Sequence, residues 1–241
     1  ITNNMQAVRY FKEAIKYGNV KAQAYIGLFY ERGIAVRRSY EMAVKWFQKA
    51  ALGGSPFAQY SLAMCYNSGN GVLKDRNKAL FWFQKSAENE YSPAFYQLGR
   101  LYYYGIGVDK DYKQAYKFYR KAAEADLPEA QYELAMMHKN GKGCETNVVK
   151  ACYWLEKAAE NESEDAYYIM GRLYIEGIVH PKDYEKAYYY LNKGYLTGDI
   201  NCIESLGRMY LNGWHVKQDK LKALELFNQA IDLGYDELYY K

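Results

Sequence analysis

The sequence predicts an all-α solenoid of stacked antiparallel helix pairs, and three observations carry that reading. Alanine recurs every 36 residues without a slip, at Ala7, Ala43, Ala79, Ala115, Ala151, Ala187 and Ala223. The segments hung on those alanines are versions of one helix: "AVKWFQKAALGG" (43–54), "ALFWFQKSAENE" (79–90), "AYKFYRKAAEAD" (115–126) and "ACYWLEKAAENE" (151–162). A helix-capping residue stands at one fixed frame position throughout, as Ser39, Asp75, Asp111, Asn147, Asp183 and Asp219. A fixed period of this size marks a repeat architecture, in which each unit buries its apolar face against its neighbours.

One period reads in order as helix, turn, helix. The first helix, A, is "YSPAFYQLGRLYYYG" (91–105), with apolar or small residues at helical spacing at Ala94, Leu98, Leu101 and Tyr102. Ser92 is expected to cap its start, Pro93 to occupy its first turn and Gly105 to end it in a left-handed conformation. "IGVDK" forms the turn. Asp111 then opens the second helix, B, in "DYKQAYKFYRKAAEAD", by accepting from free first-turn amides.

The same frame positions predict the core. Gly27, Ala63, Gly99, Ala135, Gly171 and Gly207 share one small site in helix A, and Ala22, Ala58, Ala94, Ala130, Ala166 and Cys202 share another. Close helix crossing leaves no room there for a long side chain. Larger groups fill the space between: Ile26, Leu62, Leu98, Leu134, Met170 and Leu206, followed one turn later by Tyr30, Tyr66, Tyr102, His138, Tyr174 and Tyr210.

Composition bounds the function classes. Half of the residues are hydrophobic and tyrosine occurs 29 times, a residue whose ring can be buried while its hydroxyl reaches water. The net charge of +4 is modest. Lys49, Lys85, Lys121, Lys157 and Lys193 share a frame position late in helix B, where the macrodipole favours cations. A solvated helix face is the expected reading of that row, which makes nucleic acid an unlikely partner. No apolar run of about eighteen residues marks a transmembrane helix, and the N-terminus does not read as a signal peptide. Cys65, Cys144, Cys152 and Cys202 fall out of register, so free thiols are expected, which favours a reducing compartment.

Together the caps, small sites and turns resemble the Sel-1-like repeat, a relative of the tetratricopeptide repeat. The motif A-x-x-x-L-G-x-x-Y-x-x-G-x-G-x-x-x-D-x-x-K-A reads here as "AFYQLGRLYYYGIGVDKDYKQA" (94–115) and "AYYIMGRLYIEGIVHPKDYEKA" (166–187). The whole chain, 1–241, is expected to form a single solenoid of six full periods with partial repeats at both ends. Opening at Ile1 partway through a repeat points to a fragment of a longer protein. The resemblance implies a right-handed superhelix whose concave side is lined by the A helices. It also implies adaptor work rather than catalysis. Three turns depart from the motif, with Ala35, Val179 and His215 at the second glycine site, and "YDELYYK" at the C-terminus begins a helix A. One branch of the family staples its helices with a cysteine pair. Cys202 occupies the second such site, but Gly194 stands at the first, so that branch and its β-lactam-hydrolysing activity are disfavoured.

Candidate chemistry is sparse. The Gly-x-Gly pairs 69/71, 105/107 and 141/143 follow a helix rather than a strand, so caps and turns explain them better than a nucleotide site. His138, His180 and His215 sit at unrelated frame positions without ligand spacing, so no metal is expected. His138 is expected simply to replace a core tyrosine. No nucleophile–base set stands out, and no cofactor is expected. By analogy with the related repeat, the exposed A-helix positions give a candidate partner-binding face: Tyr60, Tyr96, Tyr132 and Tyr168; Arg100, Arg172 and Arg208; and Asn67, Tyr103, Tyr104, Lys139, Asn140 and Asn212. Tyrosine supplies rigid contact area and arginine bidentate carboxylate recognition. The tyrosines also suit packing between neighbouring A helices, whereas three arginines do not suit a core. The sequence therefore predicts a non-enzymatic scaffold holding a peptide or protein surface in its concave groove. Its rivals are a glycan-directed or hydrolytic protein using the same groove, and weak nucleic-acid binding through the convex lysine row.

Overall fold

The structure, a computed structural model, describes residues 2–178 and 181–234. The expectations for Val179, His180 and the 235–241 segment lie outside the described residues. The described residues form thirteen α-helices and no strand. After α1 (Thr2–Lys16), A and B helices alternate. The A helices are α2 (Val20–Arg32), α4 (Pro56–Ser68), α6 (Ser92–Tyr104), α8 (Pro128–Asn140), α10 (Glu164–Glu176) and α12 (Ile200–Asn212). The B helices are α3 (Tyr40–Leu52), α5 (Arg76–Glu88), α7 (Tyr112–Glu124), α9 (Val148–Glu160), α11 (Tyr184–Thr197) and α13 (Lys220–Asp232). Within each unit, successive helices pack against one another as in an all-α repeat solenoid. The chain divides into two compact units, Ile1–Ala122 and Ala123–Lys241.

The turn from A to B repeats as the caps predict. Side chains of Ser39, Asp75, Asn147, Asp183 and Asp219 each accept from the amide three residues on, and Asp111 accepts from the amides of Lys113 and Gln114. The same six residues donate their own backbone N–H to a helix A carbonyl, that of Tyr30, Tyr66, Tyr102, His138, Tyr174 or Tyr210, at 2.9–3.0 Å. That carbonyl belongs to the large core residue, so one hydrogen bond ties turn geometry to core packing in every repeat. Gly33, Gly69, Gly105, Gly141, Gly177 and Gly213 end the A helices in the left-handed region. At the second glycine site Ala35 and His215 adopt the same positive φ, 57° and 64°, so the turn survives the substitution.

One capping expectation is corrected. Tyr91, not Ser92, is the N-cap of α6; Ser92 is its first helical residue and Tyr91 makes no side-chain cap. Pro93 compensates, because its ring fixes a helical φ in a turn where an amide would be unpaired anyway. Leu127 before Pro128 repeats that arrangement. The turn from B to A holds a pattern that glycine counting does not expose. Gly18, Gly54, Glu90, Asp126, Glu162, Gly198 and Gly234 share one frame position, and all have positive φ.

Within each unit the core follows the frame. Ala43, Ala79, Ala115, Ala151, Ala187 and Ala223 are buried, as are Ile26, Leu62, Leu98, Leu134, Met170 and Leu206. In the first unit Ala24, Ala43, Phe47, Ala58 and Leu62 form one cluster; in the second Ala135, Leu155, Met170, Leu191, Leu206 and Leu226 form another. The small sites are small because a B-helix residue fills them. A Cβ added at Gly27, Gly99 or Gly207 would lie 2.6 Å from a ring atom of Phe47, Tyr119 or Phe227. Two buried glutamines add a polar tie. The Gln59 and Gln131 amides donate to the carbonyls of Ala51 and Ala123 at 3.2 Å and accept from Asn89 and Asn161 at 3.1 Å. Phe95, Tyr167 and Ile203 occupy that frame position elsewhere and need no such partner.

Candidate functional site

The A helices present the predicted face in two chemically distinct layers. The tyrosines Tyr60, Tyr96, Tyr132 and Tyr168 are half-buried. The Tyr60 ring lies 5.8 Å from Phe83 and 5.5 Å from Tyr91, and the Tyr96 ring lies 5.8 Å from Tyr119. Tyr132 and Tyr168 pack on the core of the second unit. Burial pushes the Tyr132 hydroxyl above its usual range, with Asp165 and Glu133 adding to the shift. The ladder therefore packs sideways onto its neighbours as well as lining a surface, as a residue with an apolar body and a polar tip can.

The arginines form the exposed layer. Arg100, Arg172 and Arg208 all reach solvent, as do Tyr104, Lys139, Asn140 and Asn212, while Asn67 and Tyr103 are half-buried. Arg172 and Arg208 do not stand alone. Glu176 pairs with Arg172, its Oε1 accepting from Nε at 3.0 Å and also from the second guanidinium nitrogen. Glu204 pairs with Arg208. Each pair is spaced i, i+4 on one helix, the separation that brings side chains onto one face. The Asn212 amide donates to the Arg208 carbonyl at 2.8 Å, which turns it inward to its own helix.

In the second unit, Tyr168, Arg172 and Arg208 meet in one groove of about 370 Å³, walled by Glu176, Glu204 and Trp214. Lys139, Tyr168 and Arg172 also border a more apolar cleft of about 250 Å³ beside Val148, Cys152 and Ile178. Tyr132, Asn140 and Asn212 line neither groove. In the first unit a cleft of about 360 Å³ is lined chiefly by Tyr25, Leu28, Phe57 and Tyr91, none of them among the predicted site residues. Tyr25 escapes the frame argument because it stands one residue beyond the tyrosine site, which Ala24 occupies here. The carboxylate partners of Arg172 and Arg208 were legible in principle, since both lie at helical spacing.

Three other sequence readings can be placed. The lysine row is engaged locally. Lys85 and Lys157 pair with Glu88 and Glu160 at 2.7 and 2.8 Å, and Lys49 and Lys121 lie 4.8 Å from the Trp46 and Phe95 ring centroids. Lys193 lies over both Tyr167 and Tyr189. All four cysteines are free thiols. His138 fills the core tyrosine site and is buried, and Cys144 Sγ approaches its Nδ1 at 3.5 Å, a pairing the sequence did not mark. Burial pushes the Cys144 thiol up and the His138 imidazole down, so the pair is neutral rather than a thiolate–imidazolium pair. Among the described residues no helix is long and apolar enough to cross a membrane, and no cluster of three or more metal-ligating side chains occurs.

The geometry has counterparts among known proteins. The Sel1 repeat model matches residues 20–55, 56–91, 92–127, 128–163, 164–199 and 202–235. A protective antigen of uropathogenic Escherichia coli with an SLR fold is 28% identical with a TM-score of 0.83, covering 96% of this chain; the chain spans 50% of that protein. A Sel1 repeat protein from Oxalobacter formigenes is 30% identical with a TM-score of 0.83, over 95% of this chain and 100% of that one. A Klebsiella pneumoniae protein described as a Sel1 repeat protein is 28% identical with a TM-score of 0.50, over 80% and 94% of the two chains. No curated protein matches this chain. Sel1 repeat proteins commonly mediate protein–protein interaction, and the family is typically a non-catalytic scaffold. With a match in six consecutive periods and the B-helix cap and buried core residues of each in place, this chain belongs to the Sel1 repeat family.

Proposed function

We propose that the protein is a non-enzymatic interaction scaffold that holds a peptide or protein surface against the groove lined by its A helices. The observation that carries this reading is the division of each A helix into constant and variable positions. Ala, Gly, Leu and the capping residues keep their chemistry and build the solenoid, while one frame position changes from the half-buried Leu28, Met64 and Met136 to the exposed Arg100, Arg172 and Arg208. Leu28 and Met136 rest against the core there, whereas the arginines reach past it into solvent, so the solenoid tolerates either chemistry and the position can vary to suit a partner. Half-buried tyrosines beside it supply contact area that is already ordered, which lowers the entropic cost of binding.

The reading is tested by panning the protein against a random-peptide phage library, beside the variant R100A/R172A/R208A and a B-helix control, K85A/K157A. Enrichment of a peptide family by wild type and control, but not by the triple variant, is the expected result. Enrichment that survives the triple substitution with an intact circular-dichroism spectrum would remove the A-helix face from consideration.

A further inference from the structure

The three arginines of the variable position are not equivalent. Arg172 and Arg208 are each held by a carboxylate on their own helix, Glu176 and Glu204. One turn either side of Arg100 stand Tyr96 and Tyr104, so α6 supplies no carboxylate at that spacing. Among the described residues none pairs with Arg100 from elsewhere. Its guanidinium lies 6.0 Å from the Tyr96 ring centroid. That ring opens a linked set: Tyr96 to Tyr119 at 5.8 Å, Tyr119 to Tyr103 at 6.3 Å, and Tyr103 to Tyr104 and Tyr112 at 4.9 and 5.2 Å. Lys110 Nζ lies 5.8 Å from the Tyr112 ring, and no carboxylate pairs with it among the described residues either. The cluster thus combines exposed aromatic surface, Tyr104 being 53% exposed, with two cations that lack an internal counter-charge.

Resting on the A-helix reading above, we propose that Arg100, over the Tyr96 ring and on the same helix as Tyr103 and Tyr104, is the anchor for a carboxylate on the bound peptide. Arg172 and Arg208 instead serve their own glutamates. Competition for the guanidinium separates the three positions. A ligand carboxylate approaching Arg172 or Arg208 meets a rival already tethered one turn away, and its negative charge repels the newcomer. At Arg100 nothing has to be displaced. The Tyr96 ring covers one side of the guanidinium, as the Tyr168 ring does at Arg172, and the partial loss of water there strengthens a charge-assisted hydrogen bond. The occupant that fits is an acidic residue, or a chain terminus, next to apolar side chains that cover the tyrosines.

The test uses the peptides that wild-type protein selects, synthesised as the free acid, with an amidated C-terminus, and with Asp or Glu replaced by Asn or Gln. Binding is read by fluorescence anisotropy for wild type, R100A, R100K and R172A/R208A. Neutralising one carboxylate is expected to weaken binding to wild type about tenfold, the amidated and side-chain arms showing which carboxylate it is. R100A loses that discrimination, R100K keeps part of it, and R172A/R208A keeps nearly all of it. If neutralised peptides bind as tightly as acidic ones, or R100A still discriminates, the anchor is overturned while the scaffold reading stands. Loss of discrimination in R172A/R208A alone overturns it too. If wild type selects no peptide at all, the scaffold reading itself fails and the anchor fails with it.

Discussion

Replacing Gly71 with Ala tests how tightly the solenoid's turns are pressed against the preceding repeat. Gly71 has φ +72°, and a Cβ there would collide with the Tyr40 carbonyl group and lie 2.8 Å from the Glu41 amide nitrogen. These are backbone atoms in the first turn of α3, which cannot rotate aside as a side chain can. Gly54 is the matched control: its φ is +86° and a Cβ there would meet nothing within 4 Å. Left-handed strain on alanine costs about 1–2 kcal/mol, offset by about 0.4–1 kcal/mol because the unfolded glycine has more freedom to lose. G54A is therefore expected to cost about 0.5–1 kcal/mol. G71A carries the same strain plus overpacking, worth about 1–3 kcal/mol, for a total of about 2–4 kcal/mol. The reciprocal change, A35G, relieves strain at φ 57° on an exposed turn and is expected to stabilise by about 0.5–1 kcal/mol. Urea denaturation followed by circular dichroism measures all three. Equal midpoints for G71A and G54A would refute the contact argument, and a destabilised A35G would refute the strain argument.

Two further predictions concern the cysteines and tyrosines. A Cβ at Gly194 would overlap Cys202 Sγ, whereas the same two frame positions hold Ala50 with Ala58, Ala122 with Ala130 and Ala158 with Ala166. Gly194 and Cys202 thus exchange volume within one small site. G194A alone is expected to destabilise by about 1–3 kcal/mol, and G194A/C202A to recover most of that in a double-mutant cycle; additive losses would disprove the compensation. Burial, with Glu31 nearby, pushes the Cys65 thiol from its ordinary 9.0 up to about 12. Burial, with Glu156 nearby, pushes Tyr190 from 10.0 up to about 12. The unfolded chain releases these protons first, so it binds fewer protons than the folded chain above about pH 9. Stability present below that pH should fall as pH climbs toward about 12, and Cys65 should resist a thiol reagent until the chain unfolds. A flat stability profile over that window would contradict the assignment.

Much of the fold was legible because a repeat solves the same local problem many times. The six B-helix caps depend on backbone chemistry within a few residues, the small sites on a B-helix side chain at a fixed distance along the chain, and each is sampled six times in one sequence. A feature present in one repeat lacks that redundancy. Ser92 is a good capping residue by type, yet α6 starts at it, at the frame position where the other A helices also start whatever residue follows. The left-handed site occupied by Glu90, Asp126 and Glu162 was hidden because carboxylates do not advertise a positive φ as glycine does. The absence of a cysteine at Gly194 has a packing reason, since a Cβ there would overlap Cys202 Sγ.

By itself, then, the sequence determined the period, the helix pairing, the caps and which frame positions vary. Those features follow from hydrogen bonds and side-chain volumes repeated at a fixed interval. Only the tertiary structure decided what the varying positions can do. Arg100, Arg172 and Arg208 are one residue type at one frame position, but Glu176 and Glu204 neutralise two of them, while the third lies over the Tyr96 ring with no carboxylate one turn away on its helix. Cys144 meets His138 only because the turn folds back over α8. Charge is paired or left unpaired by distances across space, and those distances are fixed by how the helices pack rather than by the interval at which they recur.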